Sequence, residues 1–194
     1  MKRIVIIQGH PDPARGHFGH ALAAAYAAGA RRAGFGVTEI EVAQLDFPLL
    51  SSKAEFEHGA VPEAIRAAQA TIDRAEHLVI FYPMWLGAMP ALLKGFIEQV
   101  FRPGFVTGTS NLASTPVRKL KGKSARVVVT MGMPAFVYRW YFWAHSLKNL
   151  ERNILKVCGI KPVKVSLIGL VEAPDGRRRE RWLEKLETLG GQGA

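Results

Sequence analysis

The chain has one cysteine, Cys158, so no intramolecular disulfide can hold its fold together. With no second cysteine or basic cluster evident beside it, Cys158 reads as a small hydrophobe at a helix end rather than a redox thiol. Long apolar runs are also missing. The longest charge-free stretch, Leu78 to Leu93, contains two prolines and falls short of the about 20 apolar residues that a membrane-spanning helix needs. The N-terminus lacks the apolar core and small-residue cleavage site of a secretory signal. A cytoplasmic protein with no membrane insertion is therefore expected. Neither low hydrophobicity nor a high fraction of charged residues is present: 48% of the residues are hydrophobic and 22% charged, which excludes a disordered or collagen-like chain. The length of 194 residues suits one domain over 1–194, without internal repeats.

What the sequence has in excess is positive charge, unevenly placed. Residues 1–100 carry 9 basic and 10 acidic side chains, whereas residues 101–194 carry 17 and 6. A nucleic-acid surface would need a motif or a basic stripe with interleaved aromatics. Arg118, Lys119, Lys121, Lys123 and Arg126 instead sit in a loop-like stretch with none, so no nucleic-acid partner is expected. The charge better suits small anionic ligands such as pyridine nucleotides. The run Arg177 to Arg181 opens an amphipathic terminal helix with Trp182, Leu183, Leu186 and Leu189 on its apolar side.

Strand and helix signals alternate along the chain, as in a parallel sheet with helices on both faces. The β-branched run Arg3 to Gln8 stops at Gly9 and reads as a central strand buried on both sides. An alanine-rich helix over 18–33 follows, then a half-exposed strand from Val37 to Val42. Leu45 to Gly59 has no clear period and reads as a long irregular loop before a helix near Pro62. Further strands are expected at Leu78 to Tyr82, Ala125 to Thr130 and Val163 to Ile168. A helix is expected from Ala91 to Phe101, and another after the aromatic segment Phe136 to Trp143, running to about Cys158. The whole fits an open five-stranded flavodoxin-like α/β sheet of order 2-1-3-4-5, or a Rossmann-like one. Both bind ligands outside the carboxyl ends of the strands at the switch point.

Three loops therefore carry the functional reading. Gly9 to Gly19 joins a buried strand to a helix N-terminus, where free backbone N–H groups and the helix dipole favour an anion. It is neither a Walker A loop nor the Gly-x-Gly-x-x-Gly fingerprint, so ATP hydrolysis and a conventional NAD site drop out. His10, Arg15 and His17 are candidate phosphate donors, and Gly16 and Gly19 would let the backbone come close. Pro83-Met84-Trp85-Leu86-Gly87-Ala88-Met89-Pro90 places large apolar groups at the end of a central strand, suited to a flat ring with polar edges such as isoalloxazine. The third loop runs from Met131 to His145.

These segments resemble the flavodoxin-like NAD(P)H dehydrogenases (quinone reductases) and the related bacterial drug-modulator and potassium-efflux ancillary flavoproteins. Gly9-His10-Pro11, His17-Phe18, Tyr82-Pro83-Met84-Trp85 and Pro90 to Phe96 carry the resemblance, which covers about the first 105 residues. It implies that His10, His17, Phe18 and Gly19 stand at a flavin phosphate and that Pro83, Met84, Trp85 and Leu86 line the isoalloxazine edge. Thr130 and Gly132, in Thr130-Met131-Gly132-Met133, occupy the place of the family's Thr-Thr-Gly-Gly-like turn at the pyrimidine end. The nearest counterparts of its catalytic tyrosine and histidine are Tyr138, or alternatively Tyr141, and His145. A donor there would steady negative charge at the flavin N1 and O2, and a histidine would exchange the accompanying proton. The other reading makes these aromatics core or subunit-interface groups and His145 a surface residue.

The resemblance further implies a homodimeric, flavin-dependent NAD(P)H:quinone-type oxidoreductase. It would move two electrons by ping-pong hydride transfer, with FAD or FMN as cofactor, NADPH or NADH as donor, and a quinone or similar small molecule as acceptor. The segment 136–143 would supply apolar surface to bury between subunits. Gly104 to Ser110 lacks the family's substrate-covering tyrosines, leaving Phe105, Phe136 or Trp140 to stack on a quinone. Phe47 to Gly59 is similar to the segment near the adenosine of FAD-binding members. The alternative function is a regulatory flavin- or nucleotide-binding module acting on a partner such as a transporter, with the basic C-terminal half facing an acidic protein or an anionic membrane.

Overall fold

A computed structural model describes residues 1–107, 119–173 and 176–194. Gly108, Thr109 and Ser110 of the loop expected to cover the substrate, and Arg118 of the basic stretch, lie outside the described residues. Five strands, β1 (Arg3–Gln8), β2 (Gly36–Glu41), β3 (His77–Pro83), β4 (Ser124–Thr130) and β5 (Val163–Ile168), form one sheet of order β2-β1-β3-β4-β5. All its pairings are parallel. The alternating strand and helix signals predict such a parallel sheet, and its order is the flavodoxin-like one that the family resemblance implies. The chain leaves β1 toward β2 and then returns across it to β3, so the switch point lies at the carboxyl ends of β1 and β3.

β1 has no polar face because it is covered on both sides. Val5 and Ile7 point into the core shared with α3 (Glu63–Arg74) and α4 (Ala91–Val100). Ile4 and Ile6 point toward α1 (Phe18–Arg32) and α8 (Gly176–Gly191). Those two helices touch through glycine: a Cβ at Gly29 would strike the Glu187 carbonyl, and one at Gly190 the Tyr26 carbonyl. Trp182, Leu183 and Leu189 pack with buried Leu186 against this second core, as their spacing predicts.

Three expectations need correction. The stretch 45–59 is not wholly irregular, because Ser52 caps a short α2 (Lys53–His58) by accepting from the Glu55 N–H at 3.1 Å. Arg126 is not a loop cation. It lies in β4, buried, with its guanidinium donating to Ser166 Oγ at 2.9 Å and to the Ala194 carbonyl at 2.7 Å. The helix expected up to Cys158 is broken: α6 (Ala135–Trp140) ends before Trp143 and Ala144, both at positive φ, and α7 (His145–Lys148) then runs into a wider π-type turn over Asn149–Leu155. Past Val100, a single turn forms α5 (Pro103–Val106). No helix among the described residues is long and apolar enough to cross a membrane.

Candidate flavin-binding site

The first loop is built around Gln8, the last residue of β1. Its amide oxygen accepts from the His10 N–H at 3.1 Å and its amide nitrogen donates to the Gly19 carbonyl at 3.3 Å, so one side chain ties the loop's start to the first turn of α1. Gly9 is required by packing. Its N–H donates to the Phe81 carbonyl at 2.7 Å, and a Cβ there would lie 2.6 Å from Leu93.

Within that frame the loop folds on itself. Asp12 Oδ1 accepts from the Ala14 N–H at 2.8 Å and Oδ2 meets His17 Nε2 at 2.8 Å. The Ala14 N–H, then His17, hold the Asp12 carboxyl below its ordinary range. His10 Nδ1 faces the Asp12 backbone, 3.1 Å from both its N–H nitrogen and its carbonyl oxygen. His10 stacks on His17 with centroids 4.1 Å apart, and His20 lies 5.3 Å from His10. Burial first, and His17 second, lower the pKa of both His10 and His20, so uncharged imidazoles stand here as hydrogen-bonding groups. His20 Nδ1 is buried without a partner. Although three histidines and Asp12 gather, no group of three His, Cys, Asp or Glu among the described residues is disposed to hold a metal ion.

His17 is the N-cap residue of α1, yet its side chain is turned to Asp12 and caps nothing, and the first turn holds no acid. The opening N–H groups of α1 are thus left for an external acceptor, as a helix start allows. A Cβ at Gly16 or Gly19 would meet open space. Phe18 forms the flank, with the Arg179 guanidinium 5.7 Å from its ring.

Beyond Pro83, the Met84 N–H donates to the Thr130 carbonyl at 2.7 Å, and Trp85 and Ala88 exchange backbone bonds of 2.9 Å. The two residues between them, Leu86 and Gly87, both have positive φ, 48° and 78°. That is the tight hairpin turn of primed type, in which glycine sits without strain and leucine does not. The turn holds Leu86 wholly in solvent and Trp85 half exposed, and its two central N–H groups donate to no acceptor among the described residues. The Trp85 ring stands edge-on to His10 at 6.3 Å, so the first two loops converge on one surface.

The third loop meets them from β4. Thr130 is buried and Met131 closes the ladder by donating to the Ile168 carbonyl at 2.9 Å, while Gly132 is exposed. Tyr138, only 2% exposed, belongs to the core. Its hydroxyl accepts from the Leu147 N–H at 3.2 Å, leaving the phenolic hydrogen to donate, and burial raises its pKa. Tyr82 is its neighbour and is likewise pushed up, by burial first and by Tyr138 second. His145 opens α7 and is exposed, as are Phe136, Trp140, Tyr141, Phe142 and Trp143. Gln8, His20 and Tyr82 are absent from the expected set. Gln8 ends β1 after the apolar run Ile4–Ile7, and Tyr82 stands in the Tyr82-Pro83-Met84-Trp85 segment that carries the resemblance, but neither was singled out as a site residue; His20 carried no separate signal.

An open parallel sheet of order β2-β1-β3-β4-β5, with loops gathered at its switch point, is the architecture of flavodoxin-like α/β proteins. The chain belongs to the flavodoxin-like fold family, whose profile matches residues 2–189. It is similar to an uncharacterized NAD(P)H oxidoreductase of Haemophilus influenzae, 29% identical over 184 residues that make up 93% of this chain and 90% of the relative. Among solved structures it resembles the NAD(P)H:quinone oxidoreductase of Methanothermobacter marburgensis, with TM-score 0.82, 22% identity and coverage of 98% and 96%. It also resembles an FMN-dependent NADH-azoreductase of Bacillus anthracis in complex with FMN, with TM-score 0.76, 14% identity and coverage of 98% and 99%.

Proposed function

We propose that the chain is a cytoplasmic flavin-dependent NAD(P)H oxidoreductase that reduces a quinone-type small molecule. The carrying observation is the convergence of unpartnered backbone donors with exposed aromatic surface: the open first turn of α1, the N–H groups of Leu86 and Gly87, and Trp85 beside His10. The similarity to NAD(P)H oxidoreductases and to an FMN-bound azoreductase supports the same reading.

The residues fit a flavin. Phosphate would be met at the start of α1 by the backbone of Phe18 and Gly19, with His10 and His17 beside it, and the unpartnered His20 Nδ1 lies next to them. Pro83 to Leu86 would border the ring, and Thr130 with Gly132 would stand at its far end. When bound, the flavin supplies two-electron chemistry, taking hydride from NADPH or NADH and passing reducing equivalents to the acceptor. Tyr138, whose oxygen accepts the Leu147 N–H, keeps its phenolic hydrogen to donate, and such a donor would favour negative charge beside it. His145 is exposed at the head of α7 and would be the histidine of the pair.

An extended turn at Trp85 open to solvent fits a site completed by a second subunit, so the reading includes a homodimer. Initial rates measured over a grid of NAD(P)H and soluble quinone concentrations test it. Parallel double-reciprocal lines that depend on added flavin are expected; intersecting lines, or no flavin dependence, would refute it.

A further inference from the structure

A groove of about 900 Å³ runs along the outer edge of the sheet; Phe136, Trp140 and Trp143 of the third loop line it, but no residue placed at the flavin phosphate or ring edge does. Its floor is β5, the last strand in the sheet order. One bank is α6 with α7 and the other is α8. We propose that this groove binds an extended acidic segment of a partner protein, which pairs with β5 as an added strand.

The first argument is backbone parity. Ala125 N–H donates to the Pro162 carbonyl and Met131 N–H to the Ile168 carbonyl, each at 2.9 Å. These two bonds fix the even-numbered residues of β5 toward β4, and parallel pairing alternates. The N–H and C=O groups of Val163, Val165 and Leu167 therefore point away from the sheet, where no further strand lies among the described residues. A row of this kind is a template for another chain. The opposite edge is managed differently: Glu39 and Glu41 of β2 are engaged by Arg31 and Arg15, each at 2.7 Å. The only charge on β5 is Lys164.

Charge selects the occupant. Arg139, Lys148 and Lys185 line the groove, and none of the three has a carboxylate within 4.0 Å among the described residues. The lone acid in the lining, Glu151, is already bound to Lys156 at 2.6 Å. From Gln99 to Leu150 the sequence contains no Asp or Glu at all. Lys148 lies over the Trp143 ring and Lys185 over Trp182, at 5.7 and 4.5 Å, so each bank offers a cation mounted on an aromatic surface. A second copy docked groove to groove about a two-fold axis would bring the same cations against these. A flat bilayer would meet the banks and miss the strand between them. An extended peptide alternating acidic and apolar side chains meets the lysines, the indoles and the free backbone together. The six residues of β5 span about 20 Å, room for a segment of similar length.

The test needs no flavin, so its failure is separable from failure of the redox reading. Three of the chain's four tryptophans, Trp140, Trp143 and Trp182, line the groove, and their emission reports occupancy. The probe is a blocked seven-residue peptide alternating glutamate with valine and leucine. Its controls are the same peptide with alternate backbone nitrogens methylated and one with lysine in place of glutamate. Saturable binding is expected for the glutamate peptide, weakened about tenfold or more by either control and by the Lys148→Glu/Lys185→Glu double variant at unchanged thermal midpoint. Equal binding of the methylated peptide would overturn strand addition. Absence of saturation would overturn the site, as would a groove whose tryptophans respond only to phosphatidylserine vesicles or to self-association of the chain.

Discussion

Tyr138 is the residue on which the two readings of the aromatic segment divide. A tyrosine serving only as core surface needs no partner for its hydroxyl beyond satisfaction, whereas this hydroxyl accepts a backbone N–H at the start of α7 and so fixes the helix that carries His145. Tyr138→Phe leaves the Leu147 N–H without its acceptor, and a buried unsatisfied donor costs about 1 to 3 kcal/mol. Urea unfolding of the variant should show a loss in that range at unchanged m-value; no loss would mean that the contact is dispensable. The residue scale is also where the sequence was least explicit. His10 and Trp85 were legible because they follow strand ends, and His17 because it precedes the first helix. The Gln8 tie and the unpartnered His20 Nδ1 depend on distances that no spacing rule encodes, and Arg126 is polar yet interior because its partners, Ser166 and the Ala194 carbonyl, are remote in the chain.

At the scale of elements, the strands were readable to within a residue or two because burial on both faces leaves apolar runs, Ile4–Ile7 in β1, Leu78–Tyr82 in β3 and Val127–Val129 in β4. The break between α6 and α7 was not, since Trp143 and Ala144 adopt left-handed backbone that neither residue type favours. The contact of α1 with α8 was legible as two helices but not as a pair. It depends on Gly29 and Gly190, whose missing side chains let each helix approach the other's carbonyl groups. Gly190→Ala therefore forces the helices apart by opposition with backbone that cannot rotate away. A loss of about 1 to 3 kcal/mol is expected, read as a lower denaturant midpoint. A helix propensity gain alone would instead raise it, so an increase in stability would contradict the close packing.

For the whole molecule, pH probes the interior. His77 is buried at the start of β3, with Nδ1 2.8 Å from Ser124 Oγ, and burial, helped by Lys2, Arg126 and Lys164, lowers its pKa from 6.5 to about 3. The unfolded chain thus takes up a proton near pH 6.5 that the folded chain refuses. Stability is complete above that pH and falls as pH drops toward 3, by at most about 1.4 kcal/mol per unit for one such group. His10 and His20, also lowered, act in the same direction. The unfolding midpoint of the native chain should decline below pH 6.5, and the decline should be shallower in His77→Gln; identical profiles would show that His77 is protonated in the fold.

The sheet, its switch point and the gathered loops make one central claim, that this molecule is built to hold a flavin. The most direct measurement is the absorbance of the purified protein from about 300 to 550 nm, as isolated and during titration with FMN and with FAD. The account predicts the two-banded spectrum of oxidised flavin, perturbed on saturable binding, and a loss of that affinity in His17→Ala and Trp85→Ala. A spectrum that stays featureless, with added flavin of either kind remaining free in solution, would contradict it.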